Sequence, residues 1–211
     1  MGNPNKWEIM SALWLGAFGR ETMGRPESEF IAVALDAARE VIGSPLSIVE
    51  GASLLYQVTV DNRLAINVNP KKPTRGNSAF QTDVCIFEEV SADVTIPRVV
   101  LEFKANLSTH DVLTYSAKAR RHKQVYPYLR YGLVIGNETT IPGRFFTHNE
   151  ALDFCVAGGS FKKNRLQELF ARLLGQEVKA SRALEQIAFG HAPVFMFRSD
   201  IIADTGDGRV V

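Results

Sequence analysis

The segment VVLEFKAN (residues 99–106) decides the fold, because an apolar run leads directly into two opposite charges. Side chains alternate between the two faces of a β-strand, so Glu102 and Lys104 are expected to project from the same face. A Glu-x-Lys tripeptide alone is most often an ion pair on a solvated strand face. Here the apolar residues from Val99 onward, and the helix predicted after Asn106, favour a strand that ends at a polar site.

A second acidic residue lies on the strand that is predicted just before this one. The segment SAFQTDVCIFEEV (78–90) places Asp83 among apolar neighbours. Two neighbouring carboxylates repel, and burying either one is costly, unless a cation lies between them. If the two strands pair through the connection 88–98, Asp83 and Glu102 become adjacent. Mg²⁺ would resolve the conflict, since it binds a few carboxylates plus waters and leaves room for a phosphate oxygen, towards which Lys104 would point.

Length and composition exclude several classes of protein. The 211 residues suit one domain, and 45% hydrophobic with 22% charged residues is ordinary for a globular chain. Lys and Arg total 24 against 23 Asp and Glu, so a nucleic-acid site would have to come from a local patch. Cys85 and Cys155 form no CxxC pair, which argues against a zinc site or a disulfide framework. No segment approaches a membrane span, and we expect a cytoplasmic protein.

The order of predicted elements favours an α/β fold with a central mixed sheet flanked by helices. Ser108 and Asp111 resemble a capping box, and Pro127 should end the helix that follows. The predicted helices cover residues 7–18, 28–43, 108–126, 164–175 and 179–189. The predicted strands cover residues 53–69 with a turn at Asp61–Asn62, then 78–90, 98–106, 130–137 and 192–197.

Cationic residues lie on both sides of the acidic pair in the sequence. The helix over 108–126 carries the run KARRHKQ (118–124), and the loop before the Asp83 strand is PKKPTRGNS (70–78). Such side chains supply sequence-independent affinity for backbone phosphates, although a solvated loop is an equal alternative for the second segment. The candidate contacts to nucleic acid are Arg120, Arg121, Lys123 and Gln124 on the helix, and Lys71, Lys72 and Arg75 in the loop.

Asp83 in QTDVCIF, with Glu102 and Lys104 in VVLEFKAN, resembles the motif of the PD-(D/E)xK nuclease superfamily. The resemblance covers about residues 27–137 and implies a restriction-endonuclease-like core. It implies that Asp83 and Glu102 bind one or two Mg²⁺ ions, with the backbone carbonyl of Phe103 as a further ligand, and that Lys104 assists the attacking water. Thr82 stands where the nominal motif has proline.

Two further elements of this superfamily have candidates in the sequence. Many members add a carboxylate from the helix before the sheet, which Glu27, Glu29 or Glu40 would supply here, and Glu29 is preferred. Gln124 and Tyr128 match the spacing of the Q-x-x-x-Y element of RecB-like nucleases, but Pro127 interrupts it. His110 follows the Lys104 strand, where a structural role beside the helix cap is favoured over a phosphate contact.

The resemblance implies a metal-dependent deoxyribonuclease, and a type II restriction endonuclease is the preferred form. The implied partners are double-stranded DNA and a second copy of the chain, because cutting both strands needs two active sites. We expect one nuclease domain over 1–211, with a catalytic core at about 27–137 and a helical and strand extension at 138–211. Two alternatives stay open: a structure-selective or RecB-like repair or recombination nuclease, and a non-cleaving DNA-binding module on the same fold.

Overall fold

The computed structural model describes residues 27–76, 78–159 and 163–197. Contacts within the chain define two units, one of Thr22–Ala192 and one of Met1–Glu21 with Pro193–Val211. The helix predicted over 7–18 lies outside the described residues, and the prediction of one domain over 1–211 stays a prediction. The strand predicted over 192–197 is wrong, since these residues carry no regular secondary structure.

In the described part of the larger unit, one helix precedes five consecutive strands, and helices and strands alternate after them. In chain order they are α1 (Glu27–Val41), β1 (Leu46–Glu50), β2 (Ser53–Leu55), β3 (Ala79–Gln81), β4 (Val84–Ser91), β5 (Val94–Lys104), α2 (Thr109–Val125), β6 (Arg130–Ile135), α3 (Gly143–His148), β7 (Phe154–Ala157) and α4 (Lys163–Phe189).

The central sheet is mixed, as the sequence predicted. Its strand order is β1-β4-β5-β6-β7, in which β1, β4 and β5 are antiparallel and β5, β6 and β7 are parallel. Parallel neighbours need a crossover connection, which α2 provides between β5 and β6. Strands β2 and β3 form a separate antiparallel pair. The protein is therefore an α/β protein with helices on its five-stranded sheet.

The alternation of side chains along β5 divides the core into two layers. Val99, Leu101 and Phe103 pack in one cluster with residues of α1 and α4. Val100 belongs to the other cluster, together with Val112 and other residues of α2 and β6. Since Glu102 has the parity of Val100, its side chain projects towards α2.

Other predicted elements also differ from the observed ones. The strand over 78–90 is two strands, β3 and β4, because the backbone N–H and the Oγ1 of Thr82 both donate to the carbonyl of Ala52, at 2.9 Å and 3.1 Å. The segment 53–69 forms only β2 and an isolated bridge between Val60 and Ile66. The two helices predicted over 164–189 are the single helix α4, since an exposed glycine inside a helix costs only about 1 kcal/mol.

Candidate active site

The carboxylates of Asp83 and Glu102 lie beside each other where β4 begins and β5 ends. The antiparallel register pairs Val84 with Leu101, which places the preceding Asp83 next to Glu102. Each carboxylate bonds to the backbone of the neighbouring strand: the N–H of Phe103 donates to Asp83 Oδ2 at 2.8 Å, and the N–H of Asp83 donates to Glu102 Oε2 at 3.3 Å. The structure therefore brings together the two carboxylates that the sequence singled out.

Glu102 is buried, and the chain itself supplies a cation for it. Its Oε1 accepts a hydrogen bond from Lys118 Nζ at 2.6 Å and another from the hydroxyl of Tyr131. Burial raises the pKa of Glu102 to about 6, a rise that the charge of Lys118 opposes and the charge of Asp83 increases. A buried carboxylate with a raised pKa beside a second carboxylate is typical of functional sites.

Lys104 and Lys118 both lie near the aromatic ring of Tyr115. Their ammonium groups are 5.9 Å and 5.4 Å from the centre of the Tyr115 ring. Lys104 comes from the end of β5, as the sequence predicted, whereas Lys118 comes from α2 and was not predicted as a site residue. Two cations thus accompany the two carboxylates.

A cleft of about 350 Å³ adjoins this group of charges. Lys118 Nζ reaches its edge by donating to the carbonyl of Gln81 at 3.0 Å, and Arg75 Nη1 donates to Gln81 Oε1 at 3.2 Å. Arg75, predicted as a phosphate contact, therefore lies at the cleft. The residues that line the cleft are Arg75, Gly76, Ala79, Phe80, Gln81 and Lys118.

His122 is a second residue that sequence reasoning missed. Its ring is fully buried, 5.9 Å from the ring centre of Phe80 and 5.6 Å from that of Tyr131. Neither ring nitrogen has a hydrogen-bond partner among the described residues. Burial and, to a smaller extent, the charge of Lys118 lower the pKa of His122 to about 3, so the imidazole is neutral at physiological pH.

The cationic helix α2 presents its predicted DNA contacts in different surroundings. Arg120 and Arg121 are exposed; Arg120 pairs with the exposed Glu150 at 3.3 Å, whereas the guanidinium of Arg121 lies 5.8 Å from the ring centre of Tyr56. Tyr56 in turn stacks on Phe80 at the cleft, with ring centres 3.9 Å apart. Of these two arginines, Arg121 is therefore the one that is linked to the cleft, through the rings of Tyr56 and Phe80.

The remaining predicted contacts are less closely connected to the site. Lys123 is partly buried and bonds to Asp153 at 2.7 Å, so its ammonium is engaged inside the fold. Gln124, Lys71 and Lys72 are exposed.

The superfamily elements proposed outside the motif find little support. Tyr128 is buried in the core beyond the end of α2 at Val125, while Gln124 is exposed on that helix, so the two do not share a helical face. His110 is exposed in the first turn of α2, near Thr114. Glu40 is exposed and bonds to Gln167 on α4.

The donor set fits a magnesium ion that keeps several waters. Asp83 and Glu102 offer carboxylate oxygens and Asp83 is open to solvent, which suits a hard cation with an incomplete protein shell. No group of three or more His, Cys, Asp or Glu residues forms a metal site within residues 27–76, 78–159 and 163–197. Glu27 and Glu29 lie in α1, but their side chains are outside the part that the structure describes. The carbonyl of Phe103 as a ligand stays a prediction.

The sequence matches no protein-family model, and no curated protein is similar enough to count as a relative. Among the described residues, no helix is long and apolar enough to cross a membrane.

Proposed function

We propose that the protein is a Mg²⁺-dependent DNA endonuclease with a restriction-endonuclease-like core, and that it acts as a type II restriction enzyme. One observation carries the proposal: Asp83 and Glu102, on adjacent strands, are each bonded to the other strand's backbone, with Lys104 from the same strand end nearby. A buried carboxylate and an exposed carboxylate that lie beside each other in this way favour metal binding over a simple ion pair.

Each residue has a distinct part in the proposed hydrolysis. Asp83 and Glu102 would hold the metal, which when bound polarises the scissile phosphate and acidifies a water. Tyr131 fixes the orientation of Glu102, because its hydroxyl bonds to one carboxylate oxygen. Lys104 orients the attacking water and stabilises the charge that develops on the phosphate in the transition state.

The proposed substrate is double-stranded DNA, which the exposed cations would hold by its phosphates. Arg120 and Arg121 are exposed on α2, and Arg75 lies at the cleft that Lys118 also lines. Such contacts position the backbone and carry no base specificity. Cleavage of both strands would require a homodimer.

A non-cleaving DNA-binding module is a second candidate, and one observation favours it. Lys118 already supplies Glu102 with a cation at 2.6 Å, so the fold does not need a metal to compensate the buried charge. In such a module the ion pair would be structural and the cationic surface would bind DNA without cutting it.

Incubation of supercoiled plasmid with the protein and Mg²⁺, or with EDTA, tests the two candidates. We expect discrete fragments with Mg²⁺ only, and we expect Asp83→Asn to slow cleavage by about a thousandfold while DNA binding persists, because the change removes a metal ligand. Asp93→Asn, at an exposed position between β4 and β5, is the matched control and should cut normally. Binding without cutting by the unmodified protein would favour the module, and cleavage by Asp83→Asn at the normal rate would contradict the proposed site.

A further inference from the structure

Lys118 occupies the boundary between the buried carboxylate and the cleft. Its Nζ donates to Glu102 Oε1 at 2.6 Å and to the carbonyl of Gln81 at 3.0 Å. The Lys118 side chain is 19% exposed, whereas that of Glu102 is 1% exposed. The ammonium is thus the one part of this pair that is within reach of a ligand in the cleft.

A divalent cation at this site and the ammonium of Lys118 would compete for one carboxylate. Glu102 Oε1 already accepts hydrogen bonds from Lys118 and Tyr131, and Glu102 Oε2 faces the backbone of Asp83. Like charges close together in a partly buried site repel strongly, since little water screens them. Binding of Mg²⁺ to Glu102 therefore weakens the hold of Glu102 on Lys118.

The released ammonium has a natural new partner in the cleft. Lys118 lines the cleft together with Arg75 and Gln81, and a lysine carries its charge on a flexible four-carbon stem. A phosphate of DNA in this cleft would meet the ammonium and the guanidinium of Arg75. Phosphate oxygens are strong acceptors for both groups.

We propose that Lys118 is an internal counter-ion of Glu102 that exchanges this carboxylate for a DNA phosphate when Mg²⁺ binds. The inference rests on the proposed function for its metal and its substrate. It adds a phosphate-binding residue, and it makes the binding of Mg²⁺ and DNA depend on each other. By linkage, each of the two would then increase the affinity for the other.

Calorimetric titration of Mg²⁺ into the DNA-free protein at pH 8 tests the first half of the exchange. We expect Lys118→Met to bind Mg²⁺ about tenfold more tightly than the unmodified protein, because no cation has to be displaced. Lys118→Arg keeps the charge and should bind Mg²⁺ as the unmodified protein does. Lys179→Met, which removes an exposed charge on α4, is the control for net charge and should change nothing.

Binding of a short DNA duplex with and without Mg²⁺ tests the second half. All proteins in this measurement carry Lys104→Ala, which slows cleavage. We expect Mg²⁺ to increase the DNA affinity several-fold when Lys118 is present and not when it is methionine. Equal gains in both proteins would overturn the exchange, as would Mg²⁺ affinity in Lys118→Met that is unchanged or weaker.

A measurement on the unmodified side chain covers the case in which Lys118→Met does not fold. In protein with isotopically labelled lysine, Mg²⁺ should shift the side-chain resonance of Lys118, which is assigned by its loss in Lys118→Arg. A resonance that stays fixed at high Mg²⁺ overturns the inference.

The outcomes separate this inference from the proposed function. Plasmid cleavage together with no gain in Mg²⁺ affinity in Lys118→Met would sink the exchange and leave the endonuclease standing. Tighter Mg²⁺ binding in Lys118→Met, together with no plasmid cleavage by the unmodified protein, would support the exchange and contradict the endonuclease. A protein that neither binds Mg²⁺ nor cuts DNA would contradict both.

Discussion

The two ends of β5 each bury charge, but they treat it differently. In the first half of the strand, Arg98 is 2% exposed and bonds to Glu88 at 2.6 Å and to Glu185 at 2.8 Å. Arg182 of α4 bonds to the same Glu88. Two arginines and two carboxylates thus form a closed cluster that fastens α4 to the sheet. At the other end, Glu102 is paired with Lys118, which also lines an open cleft.

The pKa values of the two glutamates show what this difference means. Hydrogen bonds from Arg182 lower the pKa of Glu88, with Arg98 adding to the effect against the opposing influence of burial. Burial raises the pKa of Glu102 to about 6, although Lys118 opposes the rise. The fold therefore favours the charged form of Glu88 and disfavours that of Glu102. A carboxylate whose charged form is disfavoured, and that lies beside a cleft, is a candidate group for binding a ligand.

The largest expected effect concerns acid stability at the open end. His122 has a pKa of about 3 in the fold against an ordinary value of 6.5, because it is buried and lies near Lys118. Below pH 6.5 the unfolded chain binds a proton that the folded chain refuses, so the free energy of unfolding falls as the pH falls from 6.5 to 3. We expect this loss to be about 4 kcal/mol and to disappear in His122→Leu.

Urea denaturation across this pH range measures the effect. The exposed His148→Leu is the control for loss of an imidazole and should keep the acid sensitivity of the unmodified protein. An unchanged pH profile in His122→Leu would mean that the imidazole finds a hydrogen-bond partner in solution.

The second prediction compares the two ends directly by neutralising one charge in each. Arg98→Met leaves Glu88 and Glu185 short of a cation, and breaking a buried ion pair in this way should cost about 3 kcal/mol of unfolding free energy. Glu102→Gln removes a disfavoured charge, so it should change the unfolding free energy by less than about 1 kcal/mol. Urea denaturation at pH 7 without metal checks both, and equal losses would contradict the contrast between a closed cluster and an open site.

The third prediction concerns the chemistry at the open end. Lys104→Ala leaves both carboxylates in place, so Mg²⁺ should still bind while single-turnover cleavage slows at least about a hundredfold, equivalent to about 2.7 kcal/mol in the barrier. Arg98→Gln, at the closed end, is the control and should alter stability without altering the chemical step. Normal cleavage by Lys104→Ala would remove this lysine from the mechanism.

The parts of the fold that could be predicted were those set by local pattern. The continuous apolar run before Glu102 indicated a buried strand. Ser108 and Asp111 do form a complete capping box, in which the Asp111 N–H donates to Ser108 Oγ at 3.1 Å and the Ser108 N–H donates to Asp111 Oδ2 at 2.9 Å. The contact between Asp83 and Glu102 followed from one further assumption, that adjacent strands pair.

The parts that were missed depend on contacts between distant residues. The break at Thr82 is fixed by Ala52, which no local signal marks. The packing of Phe170, Leu174 and Val178 stabilises α4 on both sides of Gly175, the residue at which the sequence predicted that a helix would end. Lys118 could have been found only by noting that its spacing from other α2 residues places it on the sheet-facing side of the helix.

The smallest expected effect concerns the surface that would hold DNA beside the open end. Arg120 and Arg121 are adjacent and exposed, but Arg120 is partly neutralised by Glu150, whereas Arg121 is joined to the cleft through Tyr56. We expect Arg121→Ala to weaken binding of all DNA sequences alike and to reduce the slope of log affinity against log salt by about 0.9, as for one lost phosphate contact. Arg120→Ala should reduce it less, and Lys179→Ala on α4 not at all. Fluorescence anisotropy at several salt concentrations measures the slopes, and equal reductions for both arginines would mean that DNA lies along α2 and does not turn into the cleft.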